Sequence, residues 1–377
     1  MRLSDLGTII TGKTPTTKKE EYWNGNVPFV TPGDIQGIKH IFKTTRNVTE
    51  EGMQAVKGAI LPPNAVCVSC IGNIGYVGIT TKKCVSNQQI NSIIVSEDHN
   101  HDYVFYLIKS LWPFFKHYEG QSTTLSIMNK TQFSQIEVPD FTRLQEDRIA
   151  ETLCALDDKI EHNNAINENL SDQIQAIYSN EFDPTTHTPS GVLADTCSYS
   201  LDRIPVSELS VSTYFSTENM QPNKMGFVDA TSLPSITQTT RCHKGDVLIS
   251  NIRPYFKKIV YVTDDRCGCS TDVLCFVPKE DQYSAFLFGT LYMDRFFDYM
   301  VAGSKGTKMP RGDKQQIMNY PVVLPDKESL NLFNGLVVPM LDQIATNRIE
   351  SSRLAELRDA LLPKLMSGEL DVSELDI

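Results

Sequence analysis

Several stretches of this chain combine residue types that could do chemistry. Gly7-Thr-Ile-Ile-Thr-Gly12-Lys13-Thr14 fits the phosphate-binding pattern G-x-x-x-x-G-K-[ST] letter for letter. In a true phosphate loop, backbone amides cradle the anion between a buried strand and the start of a helix. Only six residues precede Gly7, and Pro15, Thr16, Thr17, Lys18 and Lys19 follow Thr14. That context favours a loop, with Lys13 and Thr14 approaching a nucleic-acid phosphate.

A second stretch runs Ser250-Asn251-Ile-Arg253-Pro-Tyr255, followed by Lys257 and Lys258. It places polar and cationic groups on a turn at the end of a strand. Arg can bridge the two acceptors of guanine, Asn can pair with adenine, and Lys can hold a phosphate. The matching turn earlier in the chain holds Ser69, Asn73 and Tyr76, with Lys82 and Lys83 further on. It carries less charge, as two turns reading different sequences would require. Asn251-x-x-Pro254-Tyr255 faintly resembles the N-P-P-Y site of amino-methyltransferases, but the doubled proline is missing. No Gly-rich strand-to-helix turn for a methyl donor accompanies it.

The third stretch is a Gly-rich loop over residues 303–314, where Ser304, Lys305, Thr307, Lys308 and Arg311 suit the wrapping of phosphates. Its earlier counterpart holds Ser122, Thr123, Asn129 and Lys130. No catalytic set emerges from the seven scattered histidines, and no cofactor or metal is expected. Cys67 and Cys70 form a C-x-x-C, but in an alternating strand they point to opposite faces, as buried thiols rather than metal ligands.

These stretches recur because the chain runs through one plan twice, at an offset of about 181 to 184 residues. Strands opening at Val66, Tyr76 and Ile90 are repeated at Val247, Ile259 and Val273, and Phe114 and Gly120 at Phe297 and Gly303. Each copy ends in a heptad-patterned helix. The first seam is Ile149, Leu153, Leu156, Ile160, Asn163, Asn167, Leu170, Ile174 and Ile177. The second is Phe333, Val337, Met340, Ile344, Asn347, Ser351, Leu354, Arg358 and Leu361. Packed antiparallel, their polar centres would meet, so that Asn163 and Asn167 face Ser351 and Asn347 and fix the register. Gly335 and Pro339 weaken the start of the second seam and Arg358 interrupts its end, so this helix is expected to begin or kink near Pro339.

The boundaries expected from these patterns are a mixed domain over 1–140, a long helix over 141–183, a second domain over 184–325 and a final helix and tail over 326–377. Residues 183–191 read as a linker. The net charge of -11 is unevenly spread. Residues 1–140 carry 13 Lys and Arg against 12 Asp and Glu, and residues 184–325 carry 14 against 14. Residues 141–183 carry 3 against 10, and residues 326–377 carry 5 against 10. The acid sits on the helices, leaving the domains free to present local basic surfaces. Nine irregularly spaced cysteines fit a reducing compartment, and no apolar run is long enough to cross a bilayer, so a soluble cytoplasmic protein is expected.

Two mixed domains, each followed by a long helix, resemble the DNA-specificity subunit of type I restriction-modification systems. The resemblance rests on the opening from Leu3 to Pro15, the segment from Gly245 to Tyr255, and Val138-Pro139 and Leu324-Pro325 ahead of each helix. The ending from Leu361 to Leu370 adds to it. It implies an α+β fold of two mixed α/β target-recognition domains in tandem, separated by two long helices packed as an antiparallel coiled coil. It also implies a protein that does no chemistry itself. Each domain would read one half of a split target in double-stranded DNA, and the helices would space the domains and dock two methyltransferase subunits. Motor-nuclease subunits would join that core, and no membrane is involved. Val206-Ser-Glu-Leu209 aligns with Leu3-Ser-Asp-Leu6 at an offset of 203, which leaves the second domain without a counterpart of Gly12 to Pro15.

The rival readings are a nucleotide-binding enzyme or solitary methyltransferase, and a coiled-coil scaffold with no DNA role. A phosphate loop needs its lysine, whereas a surface loop does not. Lys13→Ala is therefore expected to leave nucleotide binding unchanged in a calorimetric titration, and a measurable affinity lost with Lys13 would contradict this.

Overall fold

A computed structural model describes residues 1–37, 39–121 and 125–370. They form two compact units: residues 1–161 with the second long helix from Ser351 onward, and residues 162–350. Among the described residues no helix is long and apolar enough to cross a membrane.

Each unit is built on an antiparallel sheet with the same strand order. In the first, Gly7–Thr11 pairs with Ile90–Val95, which pairs with Val66–Ser69 and then Val77–Thr80; His40–Ile41 closes the edge in parallel. In the second, the order is Cys197–Tyr199, Val273–Pro278, Val247–Ser250 and Ile259–Tyr261. Both central strands are buried along their whole length, and their near-continuous apolar runs follow from having both faces covered. Cys67 and Cys70 pack into separate core clusters, and burial pushes both thiols up to about 12.

The long helices are Arg143–Phe182 and Lys327–Met366, 40 residues each. In the first unit Ile149 and Leu153 share a core cluster with Leu362, Leu365 and Met366. In the second, Ile174, Tyr178 and Phe182 share one with Leu330, Phe333 and Val337. The start of one helix thus meets the end of the other, an antiparallel pair. The second unit also holds Asn163 and Asn347, both buried. Asn347 Nδ2 donates to Asn167 Oδ1 at 2.8 Å, and Asn163 Nδ2 donates to Glu350 Oε2 at 2.8 Å.

Three sequence expectations are corrected. The second helix does not start at Pro339: it runs continuously from Lys327 to Met366. Pro339 is exposed on this helix. Arg358 does not interrupt the seam. Its Nη1 donates to Asp157 Oδ1 at 2.6 Å, and the Tyr106 hydroxyl donates to Asp157 Oδ2 at 2.6 Å, completing a buried network.

The third correction concerns the start of the second unit. The partner of the Leu3–Leu6 turn is Leu193–Asp195, not Val206–Glu208. Asp5 accepts from the amide of Arg2 at 2.7 Å, and Asp195 from that of Val192 at 2.8 Å. Leu3 donates to Ile136 O at 3.0 Å, and Leu193 to Tyr320 O at 2.8 Å. Gly7 then pairs with Val95 as Cys197 pairs with Pro278. At that offset Gly12, Lys13, Thr14 and Pro15 fall level with Asp202, Arg203, Ile204 and Pro205, of which Arg203–Pro205 form a strand paired with residues 238–240 rather than a loop. The segment 183–191 is also tied down. Asp183 holds Arg295 through both carboxylate oxygens, and Gly191–Val192 pairs with Pro321–Val322.

Burial raises the Asp157 carboxyl, but the Tyr106 hydroxyl and the Arg358 guanidinium outweigh it and hold the group below its ordinary 3.8. Its stabilising contribution is therefore complete above the unfolded value and disappears as pH falls through the lower folded one. Arg358→Met strands a buried carboxylate and is expected to cost about 3–5 kcal/mol in urea unfolding at neutral pH. The same substitution should move the acid unfolding transition to higher pH.

Candidate nucleic-acid interface

The strand Val66–Ser69 ends in a tight turn held by its last residue. Ser69 Oγ donates to Asn73 O at 2.6 Å and accepts from the Tyr76 amide at 2.9 Å. Gly75 sits at φ +96°, and a Cβ there would lie 2.6 Å from the buried Phe115 ring, so only glycine allows this close approach. The turn is bonded to the loop that follows helix Trp112–Gly120. Gly72 donates to Ser126 O at 3.0 Å, Met128 donates to Cys70 O at 2.9 Å, and Ile71 bridges Ile127. The Ile74 amide also donates to the Glu119 carboxylate.

Asn129 accepts from the Gln132 amide and caps the helix Lys130–Ser134, leaving Lys130 exposed at its first position. Asn73 is exposed. Tyr76 is half-buried, its ring 5.4 Å from that of Trp112, over which Lys116 Nζ sits at 4.1 Å. Trp112 and Lys116 carry no signal in the sequence, because an aromatic and a lysine on a helix make no motif. Lys13 and Thr14 follow the edge strand at the same end of the sheet, since Gly12 donates to Ile90 O and Ile90 pairs with Ser69. Lys82 and Lys83 lie at the other end of strand Val77–Thr80 and are not brought to the turn. Ser122 and Thr123 lie outside the described residues.

The phosphate-loop reading of Gly7 to Thr14 fails on geometry. Gly7–Thr11 is a strand whose register runs from Gly7 with Val95 to Thr11 with Asn91. Gly12 donates to Ile90 O, and Thr14 Oγ1 donates to Gln88 Oε1 at 2.6 Å. The ladder takes up amides that a phosphate would need, and no helix follows.

The second unit repeats the junction. Arg253 donates through its amide to Pro310 O at 2.8 Å, Gly312 donates to Asn251 O at 3.3 Å, and Ile252 bridges Arg311. The 250–258 turn and the 303–314 loop are therefore one surface. Arg253 and Lys257 both adopt left-handed backbone at φ 51°, an unusual conformation for side chains of this size. Ser250 is buried and its Oγ donates to Ile252 O, while Tyr255 is half exposed. Buried Asn251 leaves its Oδ1 without a partner among the described residues.

The cations of this surface divide into free and engaged. Lys257 Nζ sits 3.1 Å from Asp294, which also takes Lys224 at 2.7 Å. Lys258 Nζ donates to Thr217 O, and burial pushes its pKa down. Arg311 is anchored to Asp272 at 2.9 Å and Lys305 to Asp313 at 2.6 Å, yet both remain well exposed. Ser304 Oγ donates to Val301 O. Thr307 and Lys308 are exposed, and Lys308 makes no ion pair among the described residues.

Residues 1–172 match the family described as the type I restriction modification DNA specificity domain. The chain is 26% identical to the type I restriction enzyme MjaIX specificity subunit of Methanocaldococcus jannaschii, over 99% of this chain and 94% of that protein. It is 35% identical to the HindI specificity subunit of Haemophilus influenzae, over 36% of this chain and 30% of that protein. The fold is similar to the crystal structure of the type I restriction-modification S subunit from M. genitalium, with TM-score 0.59 at 16% identity over 97% of this chain and 95% of that one. Residues 1–172 thus match a DNA specificity domain, and nearly the whole chain is similar to a type I restriction-modification specificity subunit.

The turn geometry predicts its own sensitivity. Gly75→Ala forces a side chain into left-handed backbone and against Phe115, and is expected to cost about 2 kcal/mol in urea unfolding. Gly120→Ala, with open space around it, should be neutral or slightly stabilising.

Proposed function

We propose that this chain reads a split sequence in double-stranded DNA, residues 1–140 taking one half and residues 184–325 the other. The observation that carries the proposal is the repeated junction: in each unit a turn ending the central strand is bonded to the loop leaving the second helix. Each junction gathers exposed polar groups on one surface: Asn73, Asn129 and Lys130 in the first unit; Tyr255, Lys305, Thr307, Lys308 and Arg311 in the second. Lys13 and Thr14 at the same sheet end supply phosphate contacts. The match of residues 1–172 to a DNA specificity domain supports the class of ligand.

The chain holds no catalytic constellation of its own in this reading. Methyl transfer takes place in two methyltransferase subunits docked on the acidic long helices, and the target base is flipped into one of them. Motor-nuclease subunits complete the assembly, which acts in the cytoplasm. The antiparallel helix pair sets the spacing between half-sites, and its asparagines hold the register.

Charge sets the expected affinity. The two reading segments are neutral in total, so the isolated chain has little counterion-release energy to draw on. Gel shifts at graded salt should show weak binding alone and tight binding with the methyltransferase partner; full-affinity specific binding by the chain alone would contradict this. Replacing residues 1–140 by the corresponding segment of a relative should change one half of the methylated motif, read by methylation-sensitive sequencing. A change in both halves would rule out one segment per half-site.

A further inference from the structure

The two junctions, alike in backbone, differ sharply in side chains. Residues 1–140 contain two arginines, Arg2 and Arg46, and neither belongs to the turn or the loop. Arg46 is stacked over the Trp23 ring at 4.0 Å. Residues 184–325 contain six, of which Arg253 and Arg311 stand on the junction itself.

The second junction joins its arginines to exposed Tyr255, Phe256 and Met309, whereas the first exposes aliphatic and indole groups with no arginine beside them. Leu125 is 64% exposed, Ile127 53% and Trp112 37%. They are contiguous with the turn: Ile127 bridges Ile71, Leu125 Cδ1 lies 3.8 Å from the Cβ position of Gly72, and Trp112 stacks on Tyr76. Lys116, the lysine beside these groups, is held by Glu119 at 2.7 Å and by the Trp112 ring, while Lys130 stands exposed further along the loop. Asn73 is the exposed amide beside them. Large apolar side chains clustered in water at a turn mark a surface meant to be covered.

Resting on the DNA-reading role proposed above, we infer that the half-site read by residues 1–140 is recognised through thymine methyl groups and adenine, and that guanine recognition belongs to residues 184–325. In the major groove thymine alone presents a methyl, which Leu125 and Ile127 can bury, while an amide such as Asn73 pairs with adenine. Guanine offers two acceptors in line, matched by a guanidinium fork of the kind Arg253 and Arg311 carry. Asp272 steadies Arg311 at one Nη, and the side chain stays 56% exposed.

The test uses the full chain assembled with its methyltransferase. The methylated motif is mapped first, and its halves are assigned by exchanging residues 1–140. Binding is then measured on duplexes in which deoxyuridine replaces thymine, removing only the methyl, or 7-deazaguanine replaces guanine, removing one acceptor. Deoxyuridine in the first half-site should weaken binding about fourfold per buried methyl and have no effect in the second. 7-Deazaguanine should weaken binding only in the second half-site. Leu125→Ser with Ile127→Ser, both exposed positions, should abolish the deoxyuridine effect, and Arg253→Gln should relax a guanine in the other half by about 5- to 100-fold.

A first half-site indifferent to deoxyuridine, or weakened by 7-deazaguanine, overturns the inference while leaving the split-target reading intact. Absence of any two-part motif overturns both.

Discussion

In both units the amides and carbonyls at the end of the central strand are satisfied by a loop far away in sequence. Gly72 reaches Ser126 and Met128 reaches Cys70; Arg253 reaches Pro310 and Gly312 reaches Asn251. A turn beside a buried strand must place its backbone polar groups somewhere. Placing them on the second loop makes two segments distant in sequence into one surface. The consequence is positional: Asn73 is fixed relative to Lys130, and Tyr255 relative to Arg311, before any ligand arrives. Phe115 beneath Gly75 sets the height of the first turn, and left-handed Arg253 and Lys257 set the shape of the second.

The long helices serve a different constraint. Their apolar seams make an antiparallel pair within each unit, but apolar seams alone tolerate sliding. Buried asparagines oppose that: Asn347 bonds Asn167 in the second unit. The first unit uses charge instead, with Arg358, Asp157 and Tyr106 forming a closed network. Both devices leave buried polar groups unpaired if the register slips, which is costly. Asp157 and Glu350 are the acidic residues of the helices that enter these contacts.

How much of this could be read from sequence depended on whether the signal was local. The central strands are legible because Val66 to Ser69 and Val247 to Ser250 are apolar runs bounded by turns, and the helices because their seams step regularly. The equivalence of Leu193–Asp195 with Leu3–Leu6 was hidden because little beyond a Leu-x-Asp is shared and the offset shifts along the unit. Val206–Glu208 offered a closer match in letters, but its hydrogen bonds differ. The phosphate-loop pattern was legible and misleading, since eight residues cannot tell a ladder from a cradle. Lys257 and Lys258 looked equivalent to Lys308 in sequence. Only the fold brings Asp294 and Thr217 to the first two and leaves the third without an ion pair among the described residues. The junction itself joins residues more than fifty apart, beyond the reach of any periodicity.

The central claim is that turn and loop act together as the reading surface of each unit. Hydrogen–deuterium exchange on the full chain assembled with its methyltransferase, with and without cognate duplex, tests it most directly. The account predicts joint protection on DNA binding of 69–76 with 125–130 and of 250–258 with 303–314. Protection confined to other faces, or of one member of a pair without the other, would contradict it.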